Sequence, residues 1–303
     1  MTQIPGTRLK KRTRRLALVV AAATVALLVV PTAASPEGQI VIRGAEHSSH
    51  LRLTVSDNGA DLLVHGYMYP GDQVGCRYDG DSAHVVCPFS GVGSVEVDMG
   101  PGNDKVDVLD PLPVPLTTYL GDGSDGFHGN NESDTCYSQG AKKNRCLTGA
   151  GDDVCVTGQR NSDCFMGAGD DVCMHGAGSD ACWGDAGNDT CYMGPGMDGC
   201  HGGTGNDRLY GGGDSDRLFG GPGNDYCEGG PPGSHSSDAC WGGPGNDICH
   251  MGPGMDGCHG EGGNDRLYGG PQPDRLFGGP GRDYCNGERG RGRSIGCEFG
   301  PLH

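Results

Sequence analysis

The sequence predicts an all-β fold assembled from short repeated units, and three observations point to it. Sixty of the 303 residues are glycine and only 6% are aromatic. Glycine packs nothing and loses the most backbone freedom on folding, so a conventional globular core is excluded for most of the chain. From about residue 149 the chain reads strictly in nines, which separates it from a flexible low-complexity linker of similar composition. Ahead of the repeat, residues 39–43, 51–55, 62–64 and 94–97 alternate in the manner of short strands, with Asp57-Asn58-Gly59 as a turn.

The N-terminal segment is of another kind. Arg8, Lys10, Lys11, Arg12, Arg14 and Arg15 precede an apolar run over residues 16–30 in which Thr24 is the one polar residue. Fifteen residues suit the hydrophobic stretch of a signal peptide and fall short of a membrane span, which needs about 18 or more. Thr32 and Ala34 offer small residues for cleavage before Ser35, and Pro36 would obstruct a cut one residue later. The expectation is an exported, secreted chain that keeps no stable membrane insertion once the signal is removed. Sixteen cysteines, an even number, fit an oxidising compartment and a disulfide framework.

The formal charge is −17, but six of the 22 basic residues lie in the first fifteen positions; without them 16 basic residues face 39 acidic ones, a balance of −23. Such a chain repels nucleic acid and anionic membrane and attracts cations.

The acidic residues are placed periodically. Gly202-Gly203-Thr204-Gly205-Asn206-Asp207-Arg208-Leu209-Tyr210 is one clear unit, and Gly220-Gly221-Pro222-Gly223-Asn224-Asp225-Tyr226-Cys227-Glu228 is another. The aspartate recurs as Asp153, Asp171, Asp180, Asp189, Asp198, Asp207, Asp216 and Asp225. After a four-residue insertion near Pro231-Pro232-Gly233-Ser234 it resumes as Asp238, Asp247, Asp256, Asp265, Asp274 and Asp283. Two positions after each of these stands Cys or Leu. A longer duplication overlies the short one: residues 181–230 recur at 239–288, both copies carrying Cys-x-Met-Gly-Pro-Gly-Met-Asp-Gly-Cys-His-Gly.

These units resemble the glycine-rich nonapeptide of haemolysin-type (repeats-in-toxin) calcium-binding proteins over roughly residues 100–287. The resemblance implies a right-handed parallel β-roll, or β-helix: six residues form a calcium-ligating turn, three form a strand, and eighteen complete a coil. The chemistry of the residues agrees independently. Calcium takes six to eight hard oxygens from carboxylates and backbone carbonyls, and glycine lets a turn aim its carbonyls at an ion. Carboxylates eighteen apart are expected to stack: Asp171 with Asp189, Asp189 with Asp207, Asp180 with Asp198, Asp198 with Asp216, Asp247 with Asp265, and Asp256 with Asp274. Asp and Asn also favour turns for their own sake, but a turn former need not be charged, and stacked uncompensated charges would repel. Several calcium ions are therefore the expected cofactor. Cell-surface or matrix components remain as the class of macromolecular partner.

The repeat departs from the family where an inward apolar residue is expected. Leu209, Leu218, Leu267 and Leu276 conform, but Cys146, Cys155, Cys164, Cys173, Cys182, Cys191, Cys200, Cys227, Cys240, Cys249 and Cys258 do not. Cysteine buries less surface than leucine, and disulfides would replace that loss. Neighbouring strands lie about 4.8 Å apart and stacked sheets about 10 Å apart, whereas a disulfide needs Cα atoms about 4.4–6.8 Å apart. The expected bridges thus join residues one coil apart: Cys136–Cys155, Cys173–Cys191 and Cys227–Cys249 in one sheet, Cys146–Cys164, Cys182–Cys200 and Cys240–Cys258 in the other. Cys285–Cys297 and Cys76–Cys87 complete the set.

The organisation so read is a signal peptide over 1–34, a β-rich N-terminal cap over 35–99, the repeat over 100–287 and a capping tail over 288–303. Gly100-Pro101-Gly102-Asn103-Asp104 and Gly121-Asp122-Gly123-Ser124-Asp125 read as early, degenerate calcium turns, with Pro111, Pro113 and Pro115 interrupting regular pairing between them. Arg289, Arg291 and Arg293 are expected to close the last coil. No catalytic site is expected: there is no His-Glu-x-x-His, and Gly292-Arg293-Ser294-Ile295-Gly296 fits a nucleophile-elbow pattern without its strand–turn–helix context. Two other readings stand beside calcium. Cys191, Met193, Met197, Cys200 and His201, repeated as Cys249, Met251, Met255, Cys258 and His259, are donors suited to copper or zinc, and a secreted hydrolase could carry a calcium-binding repeat.

Overall fold

The computed structural model describes residues 16–19, 38–43, 50–56, 59–66, 77–78, 84–109, 112–138, 140, 142–231, 235–287 and 292–298. The basic N-terminal run, most of the apolar run, the cleavage junction, Asp57, Asn58, Cys76, Pro111, residues 232–234, Arg289 and Arg291 lie outside them. The described residues contain strands and turns and no helix, so none is long and apolar enough to cross a membrane.

The repeat unit explains the strand. In Arg208-Leu209-Tyr210, Arg and Tyr face outward while Leu209 is fully buried, and the later three-residue strands as far as Tyr284–Asn286 keep the middle residue buried in the same way. From Lys105–Val108 onward, successive strands alternate between two sheets of thirteen and fifteen strands, so the chain winds as a flat parallel coil. Register is kept by the eighteen-residue period: Cys173 lies beside Cys191, Cys191 beside Leu209, and Leu209 beside Cys227. The insertion makes one coil of twenty-two residues, setting Cys227 beside Cys249 and Leu218 beside Cys240 without loss of register. The parallel β-roll is thus the observed fold.

Turns stack as tightly as strands. Gly221 has φ +106°, and a Cβ there would strike the Gly203 carbonyl of the preceding coil. The left-handed requirement is real, because Asp185 and Glu261, at the equivalent position, also hold φ of 71° and 73°. Outside the roll, the residue after each inward position forms a ladder: Phe165, Trp183, His201, Phe219, Trp241, His259 and Phe277 stack with centroids 4.3–6.0 Å apart.

The N-terminal strands are where alternation placed them: Gly38–Arg43, His50–Val55, Asp61–His65 and Val92–Asp98. Gly38–Arg43 and Val92–Asp98 pair in parallel in the first sheet, with Leu16–Val19 alongside Gly38–Arg43. His50–Val55 pairs in parallel with Lys105–Val108, and Asp61–His65, His84–Pro88 and Arg77–Tyr78 extend the second sheet antiparallel from it. One core runs through both regions, rich in Ile, Leu and Val at the N-terminal end and in cysteine within the repeat.

The disulfides correct the sequence reading. Bridges join Cys136–Cys146, Cys155–Cys164, Cys191–Cys200, Cys249–Cys258 and Cys285–Cys297. Of the expected bridges with both cysteines among the described residues, Cys285–Cys297 forms, whereas Cys136–Cys155, Cys173–Cys191, Cys227–Cys249, Cys146–Cys164, Cys182–Cys200 and Cys240–Cys258 do not. Cys87 is disulfide-bonded, while Cys76 lies outside the described residues. The cause is the thinness of the roll. Facing cysteines are 6.4–6.7 Å apart at Cα, well under the usual sheet separation, because small side chains fill the interior. Facing residues point at each other. Neighbours in a parallel sheet point the same way, their Cβ atoms about a strand spacing apart and beyond the ~3.5–4.5 Å a disulfide needs.

Candidate metal centre

Each turn ends on an aspartate that enters the roll, and the eighteen-residue period stacks these residues into a column along each edge. All fourteen aspartates singled out from the sequence are buried: Asp153, Asp171, Asp180, Asp189, Asp198, Asp207, Asp216, Asp225, Asp238, Asp247, Asp256, Asp265, Asp274 and Asp283. The six expected pairs are adjacent and linked in one way, the backbone N–H of one aspartate donating to Oδ1 of the next coil's aspartate. The distances are 2.9 Å for Asp171–Asp189, 2.8 Å for Asp189–Asp207, 2.7 Å for Asp180–Asp198, 2.9 Å for Asp198–Asp216, 2.9 Å for Asp247–Asp265 and 3.0 Å for Asp256–Asp274.

The second oxygen is the informative one. Oδ2 of Asp153, Asp171, Asp180, Asp189, Asp198, Asp207, Asp216, Asp225, Asp247, Asp256, Asp265 and Asp283 is buried without a hydrogen-bond partner. Buried polar atoms are almost always paired, so a row of orphans at one repeat position marks a missing ligand. At Asp189, Asp207, Asp216, Asp225, Asp247, Asp265 and Asp283 this Oδ2 lies beside the glycine that opens the turn; Thr148, Met166, His175, Met193 and Met251 hold that place in the turns of Asp153, Asp171, Asp180, Asp198 and Asp256. A Cβ at Gly220 would meet Asp225 Oδ2 and the Gly242 carbonyl; one at Gly260 would meet Asp265 Oδ2 and the Gly278 carbonyl.

Burial pushes these carboxyls up, against the pull of the backbone N–H each accepts. Asp153 and Asp216 rise to about 8, and Asp189, Asp198, Asp225, Asp247 and Asp256 to about 7. The like charge of the column neighbours adds to the rise in each of them. Asp171 and Asp265 reach about 6, and Asp180, Asp207 and Asp238 shift in the same direction. Each site stabilises a proton or a cation over a bare negative charge.

The donors fit calcium: hard carboxylate and carbonyl oxygens, no soft atom, and an uncompensated charge in every coil. Aspartate Oδ2 and the turn-opening glycine carbonyls would hold the ions, which would neutralise the columns.

Asp125, in a turn read from the sequence as degenerate, and Asp134, which the sequence reading missed, are buried and raised to about 6. Asp134 donates its N–H to Asp153 Oδ1 at 2.6 Å and so begins that column. Its turn keeps the opening Gly129 beside Asp134 Oδ2 but has Asn130 and Glu132 at the other two glycine places, and Cys136 follows two positions on, the signal that would have found it. Asn144 and Ser162 hold the equivalent places on the other edge and supply no charge there. At the Asp180 turn His175 replaces the opening glycine, its Nδ1 3.8 Å from Asp180 Oδ1. At the C-terminal end Arg289 and Arg291 lie outside the described residues, and the strand Arg293–Ile295 pairs with Arg275–Phe277 of the last coil. Glu298 Oε2 accepts the Asp283 N–H at 2.6 Å, while Arg293 is exposed on the strand Arg293–Ile295.

The soft-metal donors do not converge. Cys191–Cys200 and Cys249–Cys258 are disulfides, Met193 and Met251 are buried, Met197 and Met255 are 67% exposed, and His201 and His259 stack between aromatic rings. Ser294 lies on a short exposed strand, with no helix among the described residues.

A parallel solenoid edged by columns of buried, orphaned carboxylates defines the class: a cation-binding repeat roll. Comparison with protein families makes it particular. The model of the RTX calcium-binding nonapeptide repeat matches in four copies, at residues 167–182, 201–231 and 259–293, so the chain carries haemolysin-type calcium-binding repeats. A search of curated proteins gives no significant match.

Proposed function

We propose that this is a secreted, non-enzymatic structural or surface-interaction protein whose repeat domain orders around several calcium ions. The ions would be held by the fourteen aspartates from Asp153 to Asp283 named above, with Asp125 and Asp134. The observation that carries this reading is the row of buried Oδ2 atoms without partners. Ions that bind ordered turns and not the open chain stabilise the fold by mass action, and extracellular calcium modules bind at about 10⁻⁴–10⁻³ M. Calcium would therefore act as a folding signal outside the cell. Export is supported by the basic run followed by the apolar stretch over residues 16–30 and by the cysteine-rich interior. Cleavage before Ser35 would remove Leu16–Val19 and leave Gly38–Arg43 at the end of its sheet.

The test is a calcium titration of the purified protein by far-UV circular dichroism and calorimetry, with disulfides intact and then reduced. The expected result is several bound ions per chain and a β-signal that grows with calcium in the reduced protein. A spectrum and stability indifferent to calcium in both states would refute it. Peptidase and esterase activity in the same preparation, lost in a Ser294→Ala variant, would overturn the non-enzymatic part.

A further inference from the structure

Four buried cysteines, Cys173, Cys182, Cys227 and Cys240, are thiols among the described residues, while their neighbours in the same interior column are bridged. The column is a zigzag: each cysteine of one sheet faces one in the other sheet, and successive members follow the chain. Leu209 and Leu218 interrupt it, as do Leu267 and Leu276. This leaves a block of eight, Cys136, Cys146, Cys155, Cys164, Cys173, Cys182, Cys191 and Cys200, and a block of four, Cys227, Cys240, Cys249 and Cys258.

A zigzag block with an even number of members can be fully paired between successive members in one way only, first with second, third with fourth. The other register strands a cysteine at each end. Cys136–Cys146, Cys155–Cys164, Cys191–Cys200 and Cys249–Cys258 all follow the complete register. We infer that Cys173–Cys182 and Cys227–Cys240 are two further disulfides, completing a ladder of sulfur bridges across the roll. Cys173 and Cys182 are successive members of the zigzag on facing strands, and the sulfurs of Cys227, Cys240 and Cys249 lie within 4.8 Å of one another. Cys182 Sγ is also 3.1 Å from Cys191 Sγ and Cys240 Sγ 2.7 Å from Cys249 Sγ, so the choice between partners rests on the register and not on contact. The four-residue insertion falls between Cys227 and Cys240 and leaves them facing, since Cys227 still pairs in register with Cys249 and Leu218 with Cys240.

Each closure is a thiol–disulfide exchange with an external disulfide, either a small-molecule disulfide or a disulfide oxidoreductase. One cysteine sulfur attacks the oxidant's disulfide and releases a thiol. Its facing cysteine then attacks the mixed bond, forming the internal S–S and releasing the second thiol. The two protein thiols are oxidised, the oxidant's disulfide is reduced to two thiols, and both protons pass to these. A tetrahedral zinc or copper site in place of the bridges would need four donors. At Cys227 and Cys240 the only other sulfur in the cluster, Cys249, is already bonded.

The inference is independent of calcium, and so is its test. The full chain is produced in an oxidising host compartment, denatured with chelator and without reductant, alkylated, and cleaved before aspartate, which separates all the relevant cysteines. The expected result is no alkylated cysteine in the repeat, with the peptide starting at Asp171 linked to that at Asp180 and the peptide starting at Asp225 linked to that at Asp238. Alkylated Cys173, Cys182, Cys227 or Cys240, links between Cys182 and Cys191 or Cys240 and Cys249, or zinc or copper retained through purification would each overturn it. In the Cys173→Ser variant, one alkylated thiol is expected at Cys182 with the other bridges unchanged. If Cys200 is alkylated there instead, the register is not fixed by the fold and the inference fails.

Discussion

Asp225 separates the electrostatic burden of the columns from the binding they perform. It is 2% exposed, its Oδ1 accepts the Asp207 N–H at 2.8 Å, and its Oδ2 is an orphan. Asp225→Asn keeps the first oxygen and the hydrogen bond, and replaces the second with an amide that can donate toward the Gly242 carbonyl. The wild-type carboxyl is pushed up to about 7 in the ion-free roll, from 3.8. Each unit of pKa is about 1.4 kcal/mol, so holding the ionised form inside disfavours the ion-free fold by about 4 kcal/mol at pH 8. A group raised on folding contributes stability below its unfolded pKa and loses it as pH climbs to the folded value. In chelator the variant should therefore be more stable than wild type by up to about 4 kcal/mol at pH 8, and the gain should shrink to about 0.5 kcal/mol near pH 4, where the folded carboxyl is protonated and the unfolded one about half ionised. In calcium the order should invert, because a ligand oxygen and its charge are gone. Urea denaturation followed by circular dichroism, at pH 4, 6 and 8 with chelator and with calcium, reads all of this. Equal destabilisation with and without calcium would refute the reasoning, since Oδ2 would then serve the fold and not an ion.

The same carboxylates set the pH profile of the whole roll: in chelator, wild-type stability should fall between about pH 4 and pH 8 as the raised aspartates lose protons, whereas in saturating calcium it should rise over that range; parallel melting curves in the two buffers decide it. Gly221→Ala combines a left-handed backbone with a Cβ driven into the Gly203 carbonyl, and should lower stability by about 2 kcal/mol or more with or without calcium, measured by urea midpoint. Glu298→Ala removes the acceptor of the Asp283 N–H and should lower stability by about 1 kcal/mol, with hydrogen exchange of Tyr284–Asn286 accelerated ahead of the middle coils.

Strand and turn assignments were legible because the period of nine repeats their causes: a glycine that opens a turn, an aspartate that ends it, and one inward residue two places on. Asp134 escaped because Asn130 and Glu132 stand where glycine marks other turns, although the opening Gly129 and the inward Cys136 are in place. The role of Glu298 was hidden because charge suggested a basic end, whereas the last coil exposes an aspartate N–H that needs an acceptor. Nothing in the spacing tells that Oδ1 is committed to the backbone and Oδ2 left for an ion. The disulfide register was illegible for another reason. The distance between sheets is set by the side chains between them, and a separation suited to interlocked large residues fails when cysteine faces cysteine.

That thin interior explains why two kinds of restraint occur together. A coil contributes one inward cysteine or leucine from each sheet, too little apolar surface to hold an eighteen-residue loop of glycine-rich chain against its conformational entropy. Backbone ladders tie coil to coil, disulfides tie sheet to sheet, and the edges remain, where stacked carboxylates repel. Calcium acts on the edges alone and sulfur on the interior alone. Removal of either should loosen the roll along its own direction, and removal of both should leave no element able to hold the chain wound. Chelation should thus cost the oxidised protein edge order while its sheets persist, and should unwind the reduced protein altogether. Circular dichroism that collapsed equally in both would mean that the bridges do not hold the sheets together.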